Sequence, residues 1–294
     1  QAKIIDDATN SGSNTYNISD TAANIAAGIV TSVTAVNGAG TVTSTTATAA
    51  QGATLASISQ TIVYSISDTA ANIVANIGGL NESVDIESTD SCTFAQGKVI
   101  EDATNSGSIT YNISDSAANI AVGIGSDNAV ISSAGTIAAN TYATKAELEI
   151  IGGDTKAITF SVKDTAANLA AATAARILKA VNVIATTDAT VAQATSIDTN
   201  TNAGAGGYNT YNIIDSAAAI AAKTNDFLAK AGTVTVNNTA TVTQATTIAG
   251  IAKAVIYSIS DTAGNALAVA GDAYNEAVNI EITGNLTIEK ADVI

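Results

Sequence analysis

The chain of 294 residues has no His, Pro, Met or Trp and a single Cys. Without His there is no Ser-His-Asp triad and no imidazole metal ligand, and one Cys makes neither a thiolate cluster nor an intrachain disulfide. Cys92 reads as a small buried hydrophobe. Cations are scarce: 11 Lys and Arg face 26 Asp and Glu, a formal charge of −15. That balance disfavours nucleic acid and anionic lipid and favours divalent cations or basic partners. No apolar run approaches the ~18 residues of a membrane span. Nothing in "QAKIIDDATN" is a signal peptide or initiator Met, so the expectation is a start that was removed or a window on a longer chain. Aromatics are only 4% of the residues, and Ala supplies much of the 47% hydrophobic content, so the core must be thin.

What the chain does have is repetition. "YNISDTAANIAAGI" at 16–29 returns from Tyr64, Tyr111, Phe160, Tyr211 and Tyr257. The Asp that closes each motif recurs at Asp20, Asp68, Asp115, Asp164, Asp215 and Asp261, at intervals of 46 to 51 residues. A second ruler runs through Gln1, Gln51, Gln96, Lys145, Gln193, Gln244 and Lys290. Such periods signal a repeat architecture. The reading is one continuous α/β solenoid of about six coils with parallel β-strands and short Ala-rich helices. Its repeats are residues 1–50, 51–95, 96–144, 145–192, 193–243 and 244–289, and 290–294 begin a seventh. Neither end resembles a cap, so the array is expected to continue or to meet an identical chain end to end.

Each period reads as two strand–helix steps. In "TYNISD" the alternation of Tyr16 and Ile18 with Asn17 and Ser19 marks a strand with one buried face. Asp20 suits the N-cap of the following helix, and so do its five counterparts. Ala22, Ile25, Ala26 and Ile29 fall on one face of that helix. A β-branched strand follows: "SVTAV" from Ser32, "SVDIE" from Ser83, "VNVIA" from Val181, "TVTVN" from Thr233, "VNIEI" from Val278. A second helix then comes, as in "VAQATSI" at 191–197. Helices this short persist only when stacking buries them. Each strand is expected to stack in parallel on its own copy one period later, forming an aromatic ladder of Tyr16, Tyr64, Tyr111, Phe160, Tyr211 and Tyr257. Closer spacing of strands than of helices bends such a stack gently, helices outside.

Asn24, Asn72, Asn119, Asn168 and Asn265 sit four residues after each Asp, with Ala219 in the remaining repeat. Opposite the inward face they join small residues such as Ala23 and Ala27. Two readings stand: a packing face for another layer or molecule, or hydrogen bonds to a neighbouring loop of the same chain. The paired acids Asp6–Asp7 and Glu101–Asp102 occupy equivalent helix ends before "ATNSG" and read as loop-capping residues. No P-loop, EF-hand or Ca²⁺-binding nonapeptide array is present. No cofactor is required. Ca²⁺ is the one cation considered, through Asp85, Glu87 and Asp90, or Asp188 and Asp198, without a legible ligand set. Thr-rich "TVTSTTATA" at 41–49 lacks the regular spacing of an ice-binding array. Sequons at Asn17, Asn81, Asn112, Asn237 and Asn285 allow for attached glycans.

The string "YSISDTAANI", with "AQATxI" helices and "ATNSGS" turns, resembles repeats of long cyanobacterial and proteobacterial cell-surface and S-layer-like proteins, some of which also carry RTX-type calcium modules. The resemblance covers all six periods. It implies secretion, a bacterial cell-surface location, a structural or adhesive role and often calcium dependence. This chain lacks the glycine–aspartate nonapeptides of RTX modules, so no calcium ligands are carried over. The expectation is a non-enzymatic extracellular structural protein that self-assembles, head-to-tail or laterally, into a surface layer, sheath or filament. The alternative is the stalk of a giant surface adhesin, and a carbohydrate-active β-helix enzyme ranks third.

Overall fold

A computed structural model describes residues 1–199, 208–266 and 271–285. The opening of the seventh period, residues 290–294 including Lys290, lies outside the described residues. The protein is a mixed α/β structure of many short helices and four sheets of parallel strands. It forms two compact units. One comprises Gln1–Thr141 with Asp154–Ile158, the other Tyr142–Gly153 with Thr159–Ile294.

In the first unit, Ile18–Asp20, Val42–Ser44 and Ile62–Val63 form one sheet. Ile66–Asp68, Ile86–Cys92, Ile109–Asp115, Ile137–Ala139 and a strand begun by Ile158 follow one another in the next. In the second unit, Val162–Asp164, Val183–Ala185 and Asn209–Thr210 form one sheet. The other holds Ile213–Asp215, Val234–Ala240, Val255–Thr262 and Ile280–Thr283. A strand's partner lies between 19 residues away, as Ala47 with Ile66, and 26 away, as Val183 with Asn209. This corrects the expectation that each strand stacks on its own copy. Between two copies of the Tyr-x-Ile-x-Asp strand lies the strand of the intervening half-period: Ile66 pairs with Ile86, and Ile86 with Ile109. The structural step is therefore half the sequence period.

A second correction concerns "SVTAV". Residues 32–36 lie in the helix Ala22–Asn37, which bends at Ser32, and the strand of that half-period is Val42–Ser44. Local β-propensity loses here to tertiary position. Val42 stands in register with both Ile18 and Ile62, and Ala35 and Val36 are buried from the helix.

The core is assembled from equivalent positions. Two residues before the Asp, Ile66, Ile113, Val162, Ile213 and Ile259 are buried, whereas Ile18 is only half-buried. Five residues after it, Ile25, Ile73, Ile120, Leu169, Ile220 and Ala266 are all buried. Of the aromatic series, Tyr64, Tyr111, Phe160, Tyr211 and Tyr257 are buried and Tyr16 half-buried. Their hydroxyls reach back to helix carbonyls: Tyr16 donates to Ala35, Tyr64 to Gly79, Tyr111 to Val130 and Tyr257 to Ala273, at 2.7–2.8 Å. These four tyrosines thus tie their strands to the helices that follow; Phe160 has no hydroxyl, and among the described residues none partners that of Tyr211. Gly79 lies so close to the Gly52 carbonyl that a Cβ there would sit 2.3 Å from its carbon, so only glycine fits.

The backbone carbonyl of each aromatic accepts the N–H of a residue in the next half-period: Gly40, Val84, Gly135, Val181, Gly232 and Val278. Gly and Val alternate in step with the residue after the aromatic, which is Asn17, Ser65, Asn112, Ser161, Asn212 and Ser258. Where Asn stands, its Oδ1 accepts the next amide, from Thr41, Thr136 or Thr233, and a Cβ on the glycine would fall 2.6–3.0 Å from that oxygen. Where the shorter Ser stands, Val fits. Replacing Gly135 with Val should therefore cost about 1–3 kcal/mol through overpacking. Adding Asn112→Ser should recover at least half of it in chemical denaturation, whereas additive losses would sink this steric account.

Candidate functional site: the helix-capping junctions

The helices that follow the Asp series begin with a Thr or Ser one position later than the sequence suggests. Thr21, Thr69, Ser116, Thr165 and Ser216 are the N-caps, their hydroxyls accepting from the amides of Asn24, Asn72, Asn119, Asn168 and Ala219. The expected N-cap role of Asp20, Asp68, Asp115, Asp164, Asp215 and Asp261 is thus displaced by one residue. In the first five repeats the hydroxyl takes it because Asp is the last residue of the strand, with its backbone already in the ladder; in the sixth the strand runs on to Thr262.

The Asp carboxylate does something else. Its Oδ1 accepts the amide of the next residue at 2.7–2.8 Å, in all six repeats. The same oxygen accepts the side-chain amide of Asn24, Asn72, Asn119, Asn168 or Asn265 at 2.8–2.9 Å. The recurrent Asn therefore bonds to the Asp four residues before it, on the adjoining strand and not in a neighbouring loop, while its neighbours Ala23, Ala27, Ala71, Ala75 and Ala118 remain exposed. The other oxygen, Oδ2, reaches a different helix. It accepts the first helical amide of the preceding half-period: Ala49 to Asp68, Phe94 to Asp115, Lys145 to Asp164, Val191 to Asp215 and Val242 to Asp261, at 2.8–3.0 Å.

The relation is reciprocal. The first amides of the Asp-following helices, Ala22, Ala70, Ala117, Ala166 and Ala217, are bound at 2.7–3.2 Å by Thr45, Asp90, Thr141, Thr187 and Asn238. Each of these comes from the next half-period. Ten helix starts are held this way by a side chain 19 to 24 residues onward. A helix of one or two turns has few amides with internal partners, so most need a cap. The second helix type adds a capping box: Thr48 with Gln51, Thr93 with Gln96, Thr144 with Glu147, Thr241 with Gln244. Thr190 and Gln193 exchange the same two bonds. Gln51, Gln96, Gln193 and Gln244 of the second ruler are therefore the third residues of their helices; in the fourth repeat that residue is Glu147 and not Lys145, Gln1 stands at the N-cap of its own helix, and Lys290 lies outside the described residues. The Thr-x-x-Gln/Glu spacing was the signal that would have found it.

Four of the five acids considered for Ca²⁺, all but Asp188, accept from protein donors. Asp85 accepts from the amide and hydroxyl of Ser108, Glu87 from Ser67, and Asp90 from Ala70. Asp198 pairs with Lys230 at 2.8 Å. Among the described residues no group of three Asp, Glu, Cys or His side chains is placed to hold a metal ion. Asp6 and Glu101 end their helices as expected, with Asp7 and Asp102 at the C-caps. Cys92 is buried, and burial first of all pushes its thiol up to about 11. Among the described residues no helix is long and apolar enough to cross a membrane. No protein-family model matches the chain, and neither does any curated protein or solved structure.

Donors hold several of these carboxyls below the ordinary carboxylate range. At Asp20 and Asp261 the Asn side chain is the largest cause. At Asp68 and Asp164 burial pushes upward, but the combined amide donors outweigh it. Unfolding then takes up protons in acid. Stability from these groups is fully present above the unfolded value of about 4 and is lost as the pH falls through the lower folded values. Burial, with Glu82 near Tyr64 and Asp198 near Tyr211, pushes those two phenols up to about 12. Their contribution is complete below about pH 10 and lost as the pH rises through the folded values. Denaturation midpoints should be flat between roughly pH 4 and 10 and fall on both sides; a midpoint that climbs below pH 4 would contradict the capping account.

Ala219 supplies a second test. Ala219→Asn restores the missing donor to Asp215. A bond to a carboxylate offers about 1.5 kcal/mol, against about 0.6 kcal/mol of lost helix propensity. The variant should be more stable by about 0.5–1 kcal/mol in urea, and a loss would show that the Asn donor contributes nothing net.

Proposed function

We propose that the two units are parts of one solenoid of six roughly 48-residue repeats, and that the protein is an extracellular structural component that self-assembles into a surface layer, sheath or filament. The observation that carries this reading is the junction itself. Ten successive helix starts are each satisfied by the next half-period, so the side chains are spent on joining one step to the next. A chain built from one repeated joint is a scaffold, and its mechanism is geometric. The exposed rows of small residues, Ala23 and Ala27, Ala71 and Ala75, Ala118 and Val122, offer a lateral face on which a second molecule could pack closely. On this reading the role is non-enzymatic and placed at a bacterial cell surface, and a head-to-tail contact that does not close gives a fibre. Any Ca²⁺ would act between molecules, since Asp85, Glu87, Asp90 and Asp198 already hold donors of their own.

The alternative is the stalk of a large surface adhesin, in which the same rod only projects a binding domain. Negative-stain electron microscopy of the 294-residue chain, with and without a calcium chelator, separates the two. Regular fibres or sheets are expected, and their loss on chelation would make calcium the intermolecular glue. Isolated short rods under both conditions would leave the stalk.

A further inference from the structure

Asn-x-Ser/Thr occurs at Asn17, Asn81, Asn112, Asn237 and Asn285. A glycan is attached to such an Asn only where its carboxamide and the hydroxyl two residues on both reach a transferase, which places accepted sites on open surface segments. The fold sorts four of the five; Thr287, the hydroxyl partner of Asn285, lies outside the described residues.

Three of the four are engaged in the structure. Asn17 Oδ1 accepts the Thr41 amide at 3.0 Å, and Asn112 Oδ1 accepts both the amide and the hydroxyl of Thr136 at 2.8–2.9 Å. Their partners Ser19 and Ser114 lie within ladder strands, opposite Thr43 and Ala138. Asn81 accepts the Thr104 amide at 2.9 Å. Its partner Ser83 is 1% exposed, with the hydroxyl turned onto the Leu80 carbonyl at 2.7 Å.

Asn237 differs on every count. It belongs to the strand Val234–Ala240, whose register against Val255–Thr262 shifts: Thr235 pairs with Ile256, but Thr239 pairs with Ser258. Four steps along one strand match two along the other, so the chain bulges here and its tip is re-aimed. On the other side the pairing ends at Val236, opposite Asp215. Asn237 and Thr239 are both exposed, and among the described residues no side-chain hydrogen bond holds the Asn237 carboxamide or the Thr239 hydroxyl. Asn238 between them anchors the bulge, its Oδ1 accepting the Ala217 amide at 2.8 Å. The strand Ile86–Cys92 has the same shift, the same anchor in Asp90 on Ala70, and an exposed Thr89 at the tip. The projecting tip is thus a recurrent feature of the fold.

We propose that Asn237 is the site at which a glycan is attached to the folded protein, an inference that rests on the extracellular placement proposed above. The donor is a polyprenyl-diphosphate-linked oligosaccharide. The Asn237 carboxamide nitrogen bonds to the anomeric carbon of the first sugar, and the bond from that carbon to the diphosphate oxygen breaks. Polyprenyl diphosphate leaves with the electron pair, and the nitrogen gives up one proton to a base of the transferase. The Asn238 cap takes no part, so the modified chain keeps the helix that starts at Ala217. The same transfer at Asn112 or Asn81 first requires a ladder strand or the buried Ser83 to come out, at the cost of the hydrogen bonds broken.

The test uses the purified full chain carrying Asn285→Gln, a single-subunit oligosaccharyltransferase that accepts Asn-x-Ser/Thr without a further sequence requirement, and a labelled polyprenyl-diphosphate oligosaccharide. Sites are read by peptide mass spectrometry. Transfer to Asn237 is expected to be at least about tenfold faster than to Asn17, Asn81 or Asn112, the advantage of a site that needs no local opening. In synthetic peptides spanning the four sites that advantage should disappear. No transfer to Asn237 in the folded chain, equal transfer to all four, or the same ranking in the peptides overturns the proposal. The reaction is run on the isolated chain and does not depend on assembly. Fibres without transfer would overturn this site and leave the structural reading standing; transfer without fibres would keep the site and overturn assembly.

Discussion

The structure depends on a capping bond that leaves its own segment. Most of the helices here run four to ten residues, too short to satisfy most of their own amides. In ten helices the first amide is bound by a side chain in or just after the strand of the next half-period. This makes the stability of those ten helices conditional on the segment that follows each. Local structure and stacking are therefore the same event, which is the nearest-neighbour logic of repeat proteins. Burial works alongside: the residue five after each Asp sits in the core, and each cap fixes the helix in the orientation that puts it there.

The acidic composition takes on a different meaning in this light. A charge of −15 suggests a cation-binding or steering surface when read from composition. In the structure the recurrent Asp residues face amide donors, with one oxygen on their own helix and the other on a neighbour's. Ion pairs are few and mostly exposed, as Lys3 with Asp7 or Lys98 with Asp102, and contribute little to stability. These six carboxylates are thus committed to amide donors.

How much could be read from the sequence follows from which forces are local. The strand before each Asp, the helix after it and the inward Ala and Ile positions were legible because period-2 and period-3.6 alternation are imposed by the backbone. The cap was read one residue early, because Asp and Thr both favour that site and only the strand ladder decides between them. "SVTAV" misled because β-branched residues are tolerated in a helix that buries Ala35 and Val36. The half-period step was invisible, since an interleaved strand leaves no trace in a comparison of copies. The reach of Oδ2 to Ala49 or Val242 is also tertiary, and no spacing within one motif announces it.

The alternation of Asn with Gly and Ser with Val has a consequence for how such a chain can change. The matched residues, Asn112 and Gly135 or Ser65 and Val84, lie in the same repeat about half a period apart. Whole repeats can be exchanged, duplicated or lost without disturbing any match. A genetic crossover that falls between the two positions, joining an Asn-type repeat to a Ser-type one, sets Asn against Val and crowds the joint. The interval from the aromatic segment to the following strand therefore behaves as an indivisible cassette, and breakpoints are tolerated only in the remainder of the period.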